Sequence, residues 1–239
     1  MALILSLDTA TEACSVALYD THCEQSSVQE IYELIPREHS QRLLPMIDEL
    51  LAAQGVSRSQ IDALAFGCGP GAFTGVRIAT GVAQGLAWAL DRPVVPVSTL
   101  AALAQQGLRC HGAAQVLALI DARMDEVYWG IYQANSAIAG GTIMTLVGDE
   151  QVTVPEKLFS LLPEPVQKNI EQVTGMGSGW CYRDRLNIAV ARDVERAYPH
   201  AADIALLAAP MFEAGEAVPA EQALPVYLRD NVALKKSER

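Results

Sequence analysis

The 239-residue sequence lacks most of the short patterns that mark common enzyme sites. Its five cysteines, Cys14, Cys23, Cys68, Cys110 and Cys181, are scattered, odd in number and never spaced as CxxC, which argues for reduced thiols in a cytosolic protein. The four histidines (His22, His39, His111, His200) form no HxxH, HxxxH or HExxH. There is no GxSxG nucleophile turn and no GxxxxGK[ST] phosphate loop. Cations are scarce: 17 Lys and Arg face 28 Asp and Glu, for a net charge of −11. A free chain this acidic should repel nucleic acid, and the weakly basic end KKSER does not outweigh the rest. No apolar run reaches the length of a membrane span, so no membrane partner is expected. MALILSL has no basic n-region and reads as a buried first strand, so a cytoplasmic location is expected.

What is present is a globular composition, 51% hydrophobic and 19% charged, long enough for one or two domains with sizeable cores. Residues 3–7 and 13–19 form two strands joined by the polar turn DTATEA, an antiparallel hairpin, and about 26–34 supplies a third strand. From His39 to Gln54 apolar residues recur at helical spacing, with Gly55 as a stop. A strand at 61–66 runs into GCGPGAFTGVR, then a helix extends from Thr74 to about Leu90, followed by a strand at PVVPVS and a helix at TLAALAQQ. The pattern then repeats. Residues 115–133 again read strand, Asp, turn, strand, with a further strand near 142–147, a short helix at VPEKLFSLL, a weak strand at 170–175 and an alanine-rich helix at 201–214. PVYLRDNVALKK reads as extended and irregular. The duplication predicts an α/β protein of two lobes, residues 1–108 and 109–200, with the last helix and tail, about 201–232, rejoining the first lobe.

Asp8 and Asp121 end equivalent strands in tight hairpins. Such carboxylates orient the metal–phosphate end of ATP in actin-like and sugar-kinase folds; the plainer reading is an aspartate that caps free amides of its own turn. GCGPGA resembles a dinucleotide fingerprint, but Pro70 removes a donor and no lysine is near. The candidate nucleotide residues are Asp8, Thr9, Gly69, Gly71 and Thr74, against the reading that the glycines only shape a turn and a helix entrance. His39 and Ser40 read as a helix cap with a surface histidine, and Ser98–Thr99 as another cap. Asp121, Asp125 and Glu126 cluster around a turn without further metal ligands, so no metal site and no catalytic residue is assigned.

On a helical wheel, Val76, Ala79, Ala83, Leu86 and Leu90 should pack on the sheet. Arg77, Thr80, Gly81, Gln84, Gly85 and Trp88 should face outward, an uncharged and glycine-bearing side for an exposed helix. With Leu44, Ile47 and Leu51 of the preceding helix, assigned to the core or the contact, they form the candidate partner surface.

LSLDTATEACSVALYD, PREHSQRLLPMIDELL, GCGPGAFTGVRIATGVAQGLA, PVVPVSTLAALA, LALIDARMDEVYWGIY and PVYLRDNVALKK stand in this order along the chain. Together they resemble the TsaB (YeaZ) family of bacterial proteins needed to make threonylcarbamoyladenosine in tRNA. The resemblance implies a duplicated actin-like, Hsp70-like (ASKHA) fold and a non-catalytic subunit, despite the older label glycoprotease, peptidase M22. It implies pairing with a TsaD-like subunit, which modifies adenosine 37 of tRNAs reading codons that begin with A, and work with a TsaE-like ATPase. ATP and metal are then expected on those partners, tRNA is met only through the complex, and the chain alone is expected to homodimerise. The sister TsaD family carries a metal-binding HxxxH where Thr99 and Leu103 stand here; neither replaces an imidazole. The alternative is a kinase-like enzyme with Asp8 and Asp121 at the phosphates of ATP.

Overall fold

A computed structural model describes residues 2–21, 28–136 and 141–229. Strands β1 (Leu3–Asp8), β2 (Ala13–Asp20) and β3 (Val28–Leu34) lead into helix α1 (His39–Gln54). Strand β4 (Ala63–Gly67), helix α2 (Phe73–Leu90), strand β5 (Val94–Val97) and helix α3 (Thr99–His111) follow. The second lobe has β6 (Gln115–Arg123), β7 (Glu126–Asn135), β8 (Ile143–Leu146), β9 (Gln151–Thr153), α4 (Pro155–Leu161) and α5 (Glu164–Lys168). It continues with β10 (Thr174–Met176), α6 (Arg183–Leu186) and β11 (Arg192–Val194), before helix α7 (Ala201–Glu213).

The two sheets share one plan. Their orders are β3-β2-β1-β4-β5 and β8-β7-β6-β10-β11, with β9 also on β7. In each, an antiparallel hairpin is extended by parallel strands through its first member. The first sheet is covered on both faces, which is why β1 and β4 read as continuous apolar runs rather than alternating ones. Leu5, Leu7, Val16 and Leu64 pack against α1 and α2, while Ile4, Ala63 and Val95 pack against α7 and α3. In the second lobe Val116, Ala118 and Ile120 meet α3, and Leu117, Leu119 and Trp129 meet α4 and Trp180. Helix α3 therefore serves both lobes, and Arg109 near its end holds the fully buried Asp203 of α7 through two hydrogen bonds of 2.7 and 2.8 Å.

Most expected elements appear within a residue or two. Helix α1 ends at Gly55 in the left-handed conformation, and Ser98 caps α3 by accepting from the Leu100 and Ala101 amides. Other expectations need correction. The strand expected at 170–175 is reduced to Thr174–Met176, preceded by a 3₁₀ turn. His39 is not a surface residue: it is buried, its Nε2 lying 3.1 Å from the Ala13 carbonyl, so it tethers α1 to the hairpin. On α2, Thr80 is buried with its hydroxyl bonded to the Val76 carbonyl, and the half-buried Gln84 donates to the Ala223 carbonyl at 3.0 Å. The reason is the segment after α7, which returns along this flank of α2. Ile47 and Leu51 lie in the core, whereas Leu44 is exposed. The end of PVYLRDNVALKK from residue 230, the tail KKSER, His22 and Cys23 lie outside the described residues.

Candidate functional site

Between the lobes lies a cleft of about 900 Å³. The β1–β2 turn (Thr9–Glu12) and the start of α2 line it from the first lobe, and Asp121, Arg123, Ser178 and Arg196 line it from the second.

Asp8, at the end of β1, does not line this cleft. It is fully buried; Oδ1 accepts from the Ala10 amide at 3.0 Å, while Oδ2 has no hydrogen-bond partner among the described residues. Burial without a cation pushes its carboxyl from 3.8 up to about 7, the Ala10 amide opposing only in part. The glycine loop seals it. A Cβ on Gly67 would lie 1.9 Å from Asp8 Oδ2, one on Gly71 2.4 Å from the Ala10 carbonyl oxygen, and one on Gly75 2.0 Å from the Thr9 carbonyl oxygen. These glycines thus let the loop pack directly on the hairpin turn. Two polar groups that could serve an anion are spent on that packing: the Ala72 amide donates to the Ala10 carbonyl at 2.7 Å and the Thr9 hydroxyl to the Gly75 carbonyl at 2.6 Å. Gly69, at φ 105°, lies under the Val226 carbonyl. Of the candidate nucleotide residues, Thr9, Gly71 and Thr74 reach the cleft, and Asp8 and Gly69 do not.

Thr99 and Leu103 also face inward. The Thr99 amide donates to the Gly69 carbonyl at 3.0 Å and its hydroxyl to the Pro70 carbonyl, clipping the glycine loop to α3. Leu103 is fully buried in the core of the second lobe.

Asp121 stands in the opposite situation. It lines the cleft, accepts from the Arg123 amide and guanidinium, both at 2.9 Å, and from the Tyr182 hydroxyl at 3.2 Å. Its own amide donates to the Ser178 hydroxyl oxygen at 3.1 Å, a link that reading by sequence missed. The signal was there in TGMGSG: a Cβ on Gly177 would lie 2.2 Å from the Leu119 carbonyl oxygen, so this short glycine turn packs on β6 as the longer one packs on β1. Asp125 pairs with Arg185 and Glu126 with Arg229, so the acidic cluster is dispersed into separate ion pairs. Cys181 lines the cleft, but burial, with Asp121 and Glu195 nearby, raises its thiol, which disfavours the nucleophilic thiolate.

The structure thus does not bring Asp8 and Asp121 to one ligand, and it divides the candidate partner surface. Gly81, Gly85, Trp88 and Arg77 are exposed along one face of α2, with Leu44 exposed on α1; Thr80, Gln84, Ile47 and Leu51 belong to the interior or the covered flank. A Cβ on Gly81 or Gly85 would meet nothing within 4 Å, and Trp88 is 76% exposed. No helix among the described residues is long and apolar enough to cross a membrane.

Comparison with known proteins bears on this geometry. Residues 31–237 match the family described as TsaD, tRNA N6-adenosine threonylcarbamoyltransferase. The chain is 46% identical to the tRNA threonylcarbamoyladenosine biosynthesis protein TsaB of Escherichia coli (strain K12), over 98% of this chain and 97% of that one. It is 38% identical to the TsaB of Haemophilus influenzae, over 98% and 96%. The solved structure of YeaZ from Pseudomonas aeruginosa superposes with a TM-score of 0.85 at 50% identity, covering 95% of this chain and all of that one.

Proposed function

Given that the chain belongs to the TsaB (YeaZ) family and so serves tRNA threonylcarbamoyladenosine biosynthesis, we propose that it acts there as a non-catalytic scaffold. It binds a TsaD-like catalytic subunit through the open face of α2 and works with a TsaE-like ATPase in the cytoplasm. ATP and metal belong to those partners, tRNA is reached only through the complex, and without a partner the same face forms a homodimer.

The observation that carries this reading is the pair Gly81 and Gly85 beside the exposed Trp88. Glycine in an exposed helix costs about 1 kcal/mol against alanine, and nothing among the described residues requires either one. A close-packed helix from another subunit explains both, with Trp88 as its aromatic anchor. The kinase-like alternative has less support, because Asp8 is sealed beneath the glycine loop and does not line the cleft.

The test is Gly85→Arg. It should leave a folded chain that no longer co-purifies with the TsaD-like subunit or supports tRNA modification. A normally folded variant with unchanged partner affinity places the interface elsewhere. Turnover by the pure chain, abolished by Asp8→Ala, would overturn the non-catalytic assignment.

A further inference from the structure

After α7 the chain runs back across the molecule as an irregular strap, residues 217–229. Most of its anchors are on the first lobe. Val218 and Val94 exchange two backbone hydrogen bonds of 2.8 Å, the Ala223 carbonyl accepts from Gln84, and the Val226 amide donates to the Cys68 carbonyl at 2.8 Å. The Tyr227 ring lies 6.1 Å from that of Phe73, and the Arg77 guanidinium covers both, 3.2 Å from the Phe73 centroid and 4.9 Å from that of Tyr227. Two residues later the strap changes lobes. Arg229 forms an ion pair with Glu126 of β7, points at the Arg123 carbonyl at 3.4 Å, and sits 5.9 Å from the Tyr128 ring centre. Its side chain is only 15% exposed, and both Tyr227 and Arg229 line the cleft.

The place where Arg229 lands is under strain. Arg123, Met124 and Asp125 are three successive non-glycine residues with φ of 60°, 57° and 59°. Each left-handed residue is unfavourable by roughly 1–2 kcal/mol. The turn is held from within by Asp121 and from the side by Arg185; Arg229 closes it from across the cleft. A second contact across the cleft, Arg123 with Glu12 at 3.4 Å, joins two exposed side chains and contributes little. Away from the cleft the lobes are joined through α3, through Ile143 of β8 against α7, and through the His200 ring stacked on Tyr32, none of which lines the cleft. That leaves the packed joint on one side and, among the described residues, Arg229 as the well-buried cation across the open side.

We propose that the strap is a clasp that sets the opening of the interlobe cleft, with Arg229 as its latch on the β6–β7 turn. The inference is independent of which subunit binds α2 and is testable on the isolated full-length chain. Backbone hydrogen–deuterium exchange should be compared in the parent, Arg229→Met, Glu126→Met and the double variant, each at matched protein concentration. Both single variants should speed exchange about three- to tenfold in residues 121–127, on the far lobe, and in the cleft wall 9–12, with β1 and α7 unchanged. The double variant should be no faster than either single one, since both remove the same contact. The clasp is refuted if Arg229→Met speeds exchange only in the strap itself, or if the two substitutions add. Substituting the latch from both ends keeps the outcome readable should one variant perturb its own lobe.

Discussion

The hairpins β1–β2 and β6–β7 are built alike and used differently. Each has a strand ending in aspartate, a tight turn, a returning strand, and a glycine turn packed against the first strand from a parallel neighbour. In the first, the loop Gly67–Gly75 closes over the aspartate, leaving Asp8 buried with one oxygen unpartnered among the described residues. In the second, the turn at Gly177–Gly179 is shorter, and Asp121 stays in the cleft with an arginine and a tyrosine on its carboxylate. The same local sequence device therefore ends as a packing node in one lobe and as a cleft wall in the other. What differs is the partner that arrives from elsewhere in the chain, so the fate of such an aspartate is decided by the loop that covers it.

The largest effects should come from breaking what the two lobes share. Gly75→Ala and Gly177→Ala each force a methyl to within about 2 Å of a backbone oxygen that no side-chain motion can relieve. Each should cost about 4 kcal/mol or more, read as a loss of urea midpoint. If either is tolerated with less than about 1 kcal/mol, that glycine turn is not pinned to its hairpin.

Next is the property that separates the lobes. Asp8 binds its proton more tightly folded than unfolded, with a folded value near 7 against 3.8. Folding stability from this residue is therefore fully present below about pH 4 and is lost as pH rises toward 7, then stays level. The change is about 4 kcal/mol at 1.36 kcal/mol per unit. Asp8→Asn should abolish this slope, so the difference in stability between variant and parent should move in the variant's favour from pH 4.5 to 8. A difference independent of pH would show that Asp8 is ionised throughout, and would break the contrast with Asp121.

A smaller effect tests the link found only in the second lobe. Ser178→Ala removes the hydroxyl that accepts the Asp121 amide and should cost about 1 kcal/mol. No change in unfolding free energy would mean that water replaces it. The smallest effect runs the other way: Gly81→Ala and Gly85→Ala, open on all sides, should each stabilise the isolated chain by about 0.5–1 kcal/mol. The measurement belongs at concentrations where the chain is monomeric, and destabilisation there would mean that the exposed face of α2 is already engaged within the chain.

Much of this molecule is legible in its residues. Apolar periodicity located α1, α2, α3 and α7, and the repeated strand–Asp–turn–strand pattern announced two lobes of one design. Those features are local, set by spacing along a few turns or a few strand residues, and local spacing is what a sequence displays. The same reading assigned Thr80 and Gln84 to the open face of α2, because a wheel drawn against one sheet has no knowledge of Ala223, 139 residues beyond Gln84. It likewise could not distinguish Asp8 from Asp121, since both sit in the same local frame. Whether a carboxylate oxygen is left dry or paired, whether a loop amide is free for an anion or spent on a hairpin carbonyl, and whether an arginine near the chain's end grips the opposite lobe depend on groups far apart in sequence. Tertiary packing alone decided those, because desolvation and hydrogen-bond satisfaction are properties of what surrounds an atom in space.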